Sequence, residues 1–489
     1  CEQDSPINLC LYMKKLLLLF LTLAISHTSF TQEIVRVEEQ SVALSFILEI
    51  ALPISVEYDV LNYKITYTTT DAFGQPDTVT GLLSLPNQSD FVLPLAVYNH
   101  GTVGARDEVP SVEGVLERLL IQGVAGNRFI VLAPDYLGLG DSDGIHPYLH
   151  AETQASAGRD MVIAVKKWLD EQNIRENGQL FVTGYSQGGH ASMALARDLE
   201  QNPGDDGLTL SAAAHLSGPY DITPPSAGIL GLRDLDPRTI SFFLNTIISY
   251  DFVYDLYGGA DSLFKEPYLA EVQRFLDEEV DLYEMGEILD TMLENRNALF
   301  GELFTDQVVT DVLDADPDLL AAYNDNDVFD WTPVAPTLLY YCNGDQTVNP
   351  TTAIVTDSIM RMNGADSLLL EDGGPLDHVP CATPAALRAL AFFQGLSNVF
   401  SVSLGEVSER PEIGLAPNPV AAGGQLRFSG LPNEVHPFLI YDQSGRQILS
   451  GNTQMNGAID LPRSLPRGLT VIRIGLADGN SVVRRVMVK

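Results

Sequence analysis

The sequence predicts a two-part protein: an α/β unit with a doubly wound, mainly parallel sheet and a helical insertion, followed by a small all-β sandwich. Three observations carry this reading. Between residues 91 and 396, apolar runs of strand length alternate with helix-length segments, the pattern of parallel strands buried on both faces. One of those strands ends in a tight Gly-rich turn that opens straight into an alanine-rich helix at 179–196. From residue 412 the chain becomes short alternating segments divided by Gly, Asn, Pro and Asp turns. At 489 residues the chain is also too long for one compact core.

Taken in order, Met13-Lys14-Lys15 and the ten-residue apolar run 16–25 form a basic and then an apolar segment too short to span a bilayer. They fit a secretory signal over 13–31, cut before Gln32, with residues 1–12 as upstream translation. No other run reaches membrane-spanning length, so the mature chain is expected to be soluble, with no transmembrane segment. The net charge of −37 argues against nucleic-acid partners and anionic membrane surfaces. Residues 32–398 then form the α/β unit. Residues 33–53 read as a mixed segment with a helix outside the core. Segments 63–70 and 77–85 alternate around the turn 71–76, a hairpin signal. Strands are expected at 91–98, 128–133, 180–183, 208–216, 336–341 and 367–370. Helices are expected at 112–123, 153–172, 352–362 and 384–396, and after the Gly-rich turn.

The long gap between the 208–216 and 336–341 strands holds an insertion, 222–332. It carries 24 acidic against 5 basic residues, a net of −19, together with an apolar, aromatic run over 240–254. A helical cap over the sheet accounts for both, acidic outside and apolar inside. The aromatics suit either a substrate wall or the cap's own core. Asp311, Asp314, Asp316 and Asp318 lack the glycine and spacing of a calcium-binding loop, so they read as a solvated face.

Chemistry centres on Gly184-Tyr185-Ser186-Gln187-Gly188. A G-x-S-x-G turn between strand and helix presents a serine at a strained tip, with small residues letting the two elements approach closely. A serine needs a base and a carboxylate that orients the base, and on such a sheet these follow in the order acid, then histidine. Downstream of the adjacent His190 stand only His215, His378 and His436. His215 and His190 read as core histidines, and His436 falls in the all-β unit. His378, in the Gly-rich stretch 373–380, takes the base position. Asp345 is the carboxylate in the turn after the 336–341 strand, with Asp372 and Asp377 as competitors too close to the histidine in sequence. The oxyanion donors are expected from the amide of Gln187 and from the turn Asn99-His100-Gly101-Thr102, with Thr102 preferred and Gly101 next. The Gly-rich stretch 133–142 has neither a Walker lysine nor G-x-G-x-x-G, so it binds no nucleotide; Asp135 there is structural. Cys342 and Cys381 are the cysteines of the exported chain; they are expected as a disulfide tying the acid and base loops, or else as two buried thiols.

The hairpin, Asn99-His100-Gly101, Ala133-Pro134-Asp135-Tyr136, Gly184-Tyr185-Ser186-Gln187-Gly188-Gly189-His190 and the Asp345/His378 pair together resemble α/β-hydrolases of the secretory lipase type, over 58–396. The resemblance implies a capped enzyme that cleaves carboxylic esters with an apolar acyl group through an acyl-enzyme, using Ser186, Asp345 and His378, with no metal or organic cofactor. In the last part, Leu415-Ala416-Pro417-Asn418-Pro419, Ile440-Tyr441-Asp442-Gln443-Ser444-Gly445-Arg446, Leu465-Pro466-Arg467-Gly468 and the basic terminus Arg484-Arg485-Val486-Met487-Val488-Lys489 resemble a type IX secretion sorting domain. That implies a linker over 399–411, a β-sandwich over 412–489, the type IX machinery as partner, and a secreted or cell-surface destination. Two other readings use the same residues: a serine exopeptidase whose acidic cap holds a substrate amine, and a surface adhesin built on an inactive hydrolase.

Overall fold

The computed structural model describes residues 32–489 apart from 89–90, 223–226, 234, 402–412, 443–446 and 477–480. The expected signal segment and most of the expected linker lie outside the described residues.

A ten-stranded sheet forms the centre, in the order β1-β2-β3-β5-β4-β6-β7-β8-β9, with β10 added beside β4. β1 (Ile34–Glu39), β2 (Val60–Thr70) and β3 (Pro76–Pro86) run antiparallel as a meander. β3 also pairs antiparallel with β5 (Ile130–Pro134). From there β5, β4 (Phe91–Asn99), β6 (Glu176–Tyr185), β7 (Leu210–Leu216), β8 (Thr337–Tyr341) and β9 (Leu368–Asp372) are parallel neighbours. Val97, Val182 and Leu339 point into one apolar layer, and Ala96, Phe181 and Leu338 into the other. Both faces of these strands are therefore covered, and this is why they read as continuous apolar runs.

Several boundaries differ from the sequence expectation. The 33–53 segment is half strand: Ile34, Val35 and Val37 favour extended backbone, and β1 pairs with β2 before the helix Ser45–Ala51 begins. The helix expected from 112 starts only at Arg118, because 109–117 is taken up by turns, with Gly114 at φ +94°. The last helix starts early, at His378, and runs to Leu396. Pro380 sits in its first turn, where a missing N–H costs nothing, so it does not delay the helix. Phe400–Ser401, expected in the linker, instead form β10 against Val92 and Phe91.

The insertion is helical and has its own core. Pro237–Tyr254 packs against Leu282–Arg296 through Ile240, Leu244, Met285 and Leu289, with Phe300 and Phe304 meeting Phe243 edge-on. Most of the aromatic run is therefore cap core. Asp316 caps the helix Pro317–Asp325, accepting from the amides of Asp318 and Leu319. Within 414–488, β11 (Gly414–Ala416), β12 (Gln425–Ser429) and β15 (Ala458–Asp460) form one sheet in the order β11-β12-β15. β13 (Pro437–Tyr441), β14 (Gln447–Asn452), β16 (Gly468–Gly475) and β17 (Ser481–Val488) form a second in the order β14-β13-β16-β17, and the two enclose Leu426, Phe428, Ile440 and Ile472. This all-β unit meets the catalytic unit through Phe46 on Tyr441, ring centroids 5.3 Å apart, and through the Arg473–Asp59 and Arg485–Glu49 ion pairs. No helix among the described residues is long and apolar enough to cross a membrane.

Candidate active site

β6 ends at Tyr185, and the helix Gln187–Gln201 begins two residues later, so Ser186 has to reverse the chain alone. It does so at φ 59°, ψ −122°, a conformation that non-glycine residues rarely adopt and that costs on the order of 1–3 kcal/mol. The amide of Ser186 donates to the Leu216 carbonyl on β7 at 3.0 Å, which helps hold the turn. The flanking glycines are dictated by space. A Cβ on Gly184 would lie 2.1 Å from the Gly188 carbonyl oxygen, and one on Gly188 would lie 1.9 Å from that of Asn99. No side chain fits at either place.

Ser186, His378 and Asp345 meet at the ends of three different strands and form one continuous chain. The imidazole Nε2 of His378 lies 2.8 Å from Ser186 Oγ, and its Nδ1 lies 2.6 Å from Asp345 Oδ2. A carboxylate only accepts, so Nδ1 carries the proton and Nε2 is left to accept from the serine hydroxyl. The other oxygen of Asp345 accepts from the amides of Thr347 and Val348 at 2.9 and 2.8 Å. Every strong acceptor of this buried carboxylate is thus engaged, which fixes its direction. His378 is held from its own backbone as well, since the Tyr185 hydroxyl donates to its carbonyl at 2.5 Å.

The competing carboxylates serve the loops. Asp377 caps the last helix, accepting from the amides of Gln346 and His378, and these two bonds hold its carboxyl below the usual range. Asp372 accepts from Asn343 and from the Gly374 amide. Cys342 and Cys381 are joined by a disulfide, and both are fully buried. Cys342 follows β8 and precedes the Asp345 turn, while Cys381 sits in the first turn of the His378 helix, so the bond ties the two loops together.

The Gln187 amide stands at the N-terminus of the elbow helix. Among the described residues neither it nor the Thr102 amide has a hydrogen-bond partner. The amide of Gly101, the second choice, is engaged: it donates to Glu117 Oε1 at 3.2 Å, and the same oxygen accepts from Tyr98 Oη. The side chains of the other three histidines weighed from the sequence are held by packing and hydrogen bonds away from Ser186. His190 bridges Gln154 and the Asn326 carbonyl, His215 meets Ser192 Oγ, and His436 faces two backbone carbonyls. Asp135 is buried between Thr80 Oγ and the Ser111 amide, and burial pushes its carboxyl up.

An open cleft borders Thr102 and Gln187. Leu139 on the catalytic unit and Ile248, Phe275 and Leu282 on the cap give it an apolar wall, and Arg106 and Glu278 pair across its mouth at 2.6 Å. Sequence order misses three groups here, His146, Tyr148 and Tyr283. Tyr148 Oη lies 2.9 Å from Thr102 Oγ, Tyr283 Oη donates to the Thr102 carbonyl at 3.0 Å, and His146 meets the Gln187 side chain at 2.8 Å. A hydroxyl that donates to an oriented imidazole, beside two free amides, is an arrangement suited to acyl transfer.

The alpha/beta hydrolase family model matches residues 104–390, more than half of the chain. A Legionella pneumophila protein with a hydrolase assignment superposes with a TM-score of 0.67 at 25% identity, covering 74% of this chain and 98% of that one. The ligand-bound rice cell wall degrading esterase LipA from Xanthomonas oryzae gives 0.61 at 23% identity over 74% and 98% of the two chains. Candida antarctica lipase A in its closed state gives 0.54 at 14% identity, over 74% and 81%. No curated protein sequence matches the chain.

Proposed function

This chain belongs to the alpha/beta hydrolase family, and from that footing we propose that it is an exported serine carboxylic-ester hydrolase. The observation that carries the proposal is the unbroken Ser186–His378–Asp345 chain beside the unengaged amides of Gln187 and Thr102. Ser186 Oγ attacks the ester carbonyl while His378 Nε2 takes its proton. The carbonyl oxygen gains the negative charge and is held by the Gln187 and Thr102 amides. As the tetrahedral intermediate collapses, the C–O bond to the alcohol breaks and His378 returns the proton to the leaving oxygen. Water repeats the sequence on the acyl-enzyme and releases the acid. Asp345 keeps the imidazole in the right tautomer and stabilises its charged form. The acyl chain lies in the apolar cleft between Leu139 and the cap residues Ile248, Phe275 and Leu282. A serine exopeptidase uses the same triad, and substrate decides between the two. We expect turnover of p-nitrophenyl esters to exceed that of aminoacyl-anilides; anilide turnover outrunning ester turnover would make the enzyme a peptidase.

The motifs in residues 412–489, together with their compact two-sheet build, support a role as a type IX sorting domain. Export then delivers the enzyme to the cell surface or beyond. Removing 412–489 should leave active enzyme inside the cell envelope, as read by activity in fractionated culture. Equal release of the truncated and full-length chains would contradict this role.

A further inference from the structure

The two amides assigned to the oxyanion share one set of aromatic supports that the triad does not use. His100, Tyr136 and His146 stack in series, with centroids 4.4 and 5.8 Å apart, and Tyr148 meets His146 edge-on at 6.1 Å. The stack is anchored at both ends. Tyr136 Oη donates to the His100 carbonyl at 3.2 Å. The cap's Ser249 hydroxyl donates to the His146 carbonyl and accepts from the Tyr148 amide, both at 2.8 Å. Two polar tips of this stack reach the donors: Tyr148 Oη reaches Thr102 Oγ, and His146 Nε2 reaches Gln187 Nε2.

The tautomer of His146 follows from its partners. Nδ1 lies 2.8 Å from the Leu137 carbonyl, which can only accept, so Nδ1 carries the proton. Nε2 therefore offers its lone pair to the Gln187 amide. Burial holds the ring neutral by pushing its pKa down to about 3. Gln187 has a side chain on the cleft wall and a backbone N–H at the very start of the elbow helix. Freed from His146, that side chain would need a new partner for its amide within the cleft, and the backbone carrying the donor would lose its lateral support.

We propose that His146 and Tyr148 are positioning residues of the oxyanion hole, His146 holding Gln187 through its side-chain amide and Tyr148 holding Thr102 through its hydroxyl. His146 borders the cleft and Tyr148 does not, and neither hydrogen-bonds Ser186 or His378; both act on the barrier by fixing the two donors. The inference rests on the acyl-transfer reading of the site, but it does not depend on whether the substrate is an ester or an amide. A displacement of about 1 Å in such a group can cost on the order of 100-fold in rate, so the expected losses are large enough to measure.

The test compares wild type with His146→Leu, His146→Gln and Tyr148→Phe, measuring kcat and KM on p-nitrophenyl butyrate and inhibition by an arylboronic acid. The boronate adds to Ser186 and places one oxygen where the oxyanion would sit. His146→Leu should lower kcat by roughly 10- to 100-fold with KM within about twofold, and weaken the boronate by a similar factor. His146→Gln keeps an acceptor for Gln187 and a donor for Leu137, so it should recover most of the loss. Tyr148→Phe should lower kcat about 10-fold, again with KM held and the boronate weakened. If His146→Leu does not fold, the glutamine and Tyr148→Phe variants still decide. Tyr148→Phe with wild-type kcat, or a kcat loss with no change in boronate affinity, or a glutamine variant no better than leucine in a folded protein, would overturn the proposal. Failure of the ester reading looks different: wild type turns over anilides in preference, and the same ratios are then read on the anilide.

Discussion

Ser186→Ala should abolish ester turnover, with a loss of roughly 10⁶-fold in kcat, and His378→Ala should cost about as much. The two act as one unit. Without the hydroxyl there is nothing for Nε2 to deprotonate, and without the imidazole the hydroxyl is a weak nucleophile at neutral pH. The double variant should therefore be little worse than either single one, because the remaining rate comes from the Gln187 and Thr102 amides and from substrate binding. Ser186→Ala should also fold at least as well as wild type. The strained turn stays, but its backbone bond to Leu216 and the two flanking glycines are untouched. Loss of activity with loss of fold would not meet this expectation. A residual rate within about 100-fold of an active wild type in a folded variant would place the nucleophile elsewhere, whereas a wild-type rate no higher than that of the variant, both near background, would favour the adhesin reading.

The second large effect is at Asp345, where Asp345→Asn should lower kcat by roughly 10⁴-fold with KM little changed. The reason lies in the partners of its two oxygens. One accepts from the Thr347 and Val348 amides, so the asparagine must keep its carbonyl oxygen there, or set two donors against its own amide group. Its NH₂ is then turned toward His378 Nδ1, 2.6 Å away in wild type. A donor at that place forces the imidazole to accept at Nδ1 and carry its proton on Nε2. The nitrogen facing Ser186 Oγ can no longer accept, and the base is in the wrong tautomer although the geometry is nearly unchanged. Steady-state kinetics of the purified variant, with a melting curve to show it is folded, is the check. A loss below tenfold would mean that Asp345 does not set the tautomer.

Much of this architecture was legible because its signals are local. The elbow is written in five consecutive residues, and its glycines are required by contacts within the same turn and with the neighbouring strand. Parallel strands covered on both faces carry no alternation to misread, so β4 to β9 fell within a few residues of their expected places. Asp345 and His378 were read from chain order together with their places in the turn after the 336–341 strand and in the Gly-rich stretch 373–380, and the structure brings both to Ser186. What was not legible depends on contacts made across the fold. The choice between Gly101 and Thr102 turns on Glu117, 16 residues away, reaching back to the Gly101 amide. His146 and Tyr148 precede the nucleophile in the chain, so the order of acid and base gives them no part, and only the packed structure brings them to Gln187 and Thr102. The early start of the last helix was hidden by two prolines: Pro380 falls in its first turn, where no N–H is needed, and Pro384, read from the sequence as its start, lies inside it. The aromatic run of the cap had two uses open to it; Phe243 packs against the cap core, and the residues of 240–254 that line the cleft, Asn245 and Ile248, are not aromatic.

The most direct test of the central claim is covalent labelling with a fluorophosphonate, read by intact mass and by peptide mapping. If Ser186 is the activated hydroxyl, wild type should take up one equivalent, the adduct should map to the peptide containing Ser186, and ester turnover should fall in proportion to labelling. Ser186→Ala should take up none. Stoichiometric labelling at another residue, or full labelling of the alanine variant, would contradict the account.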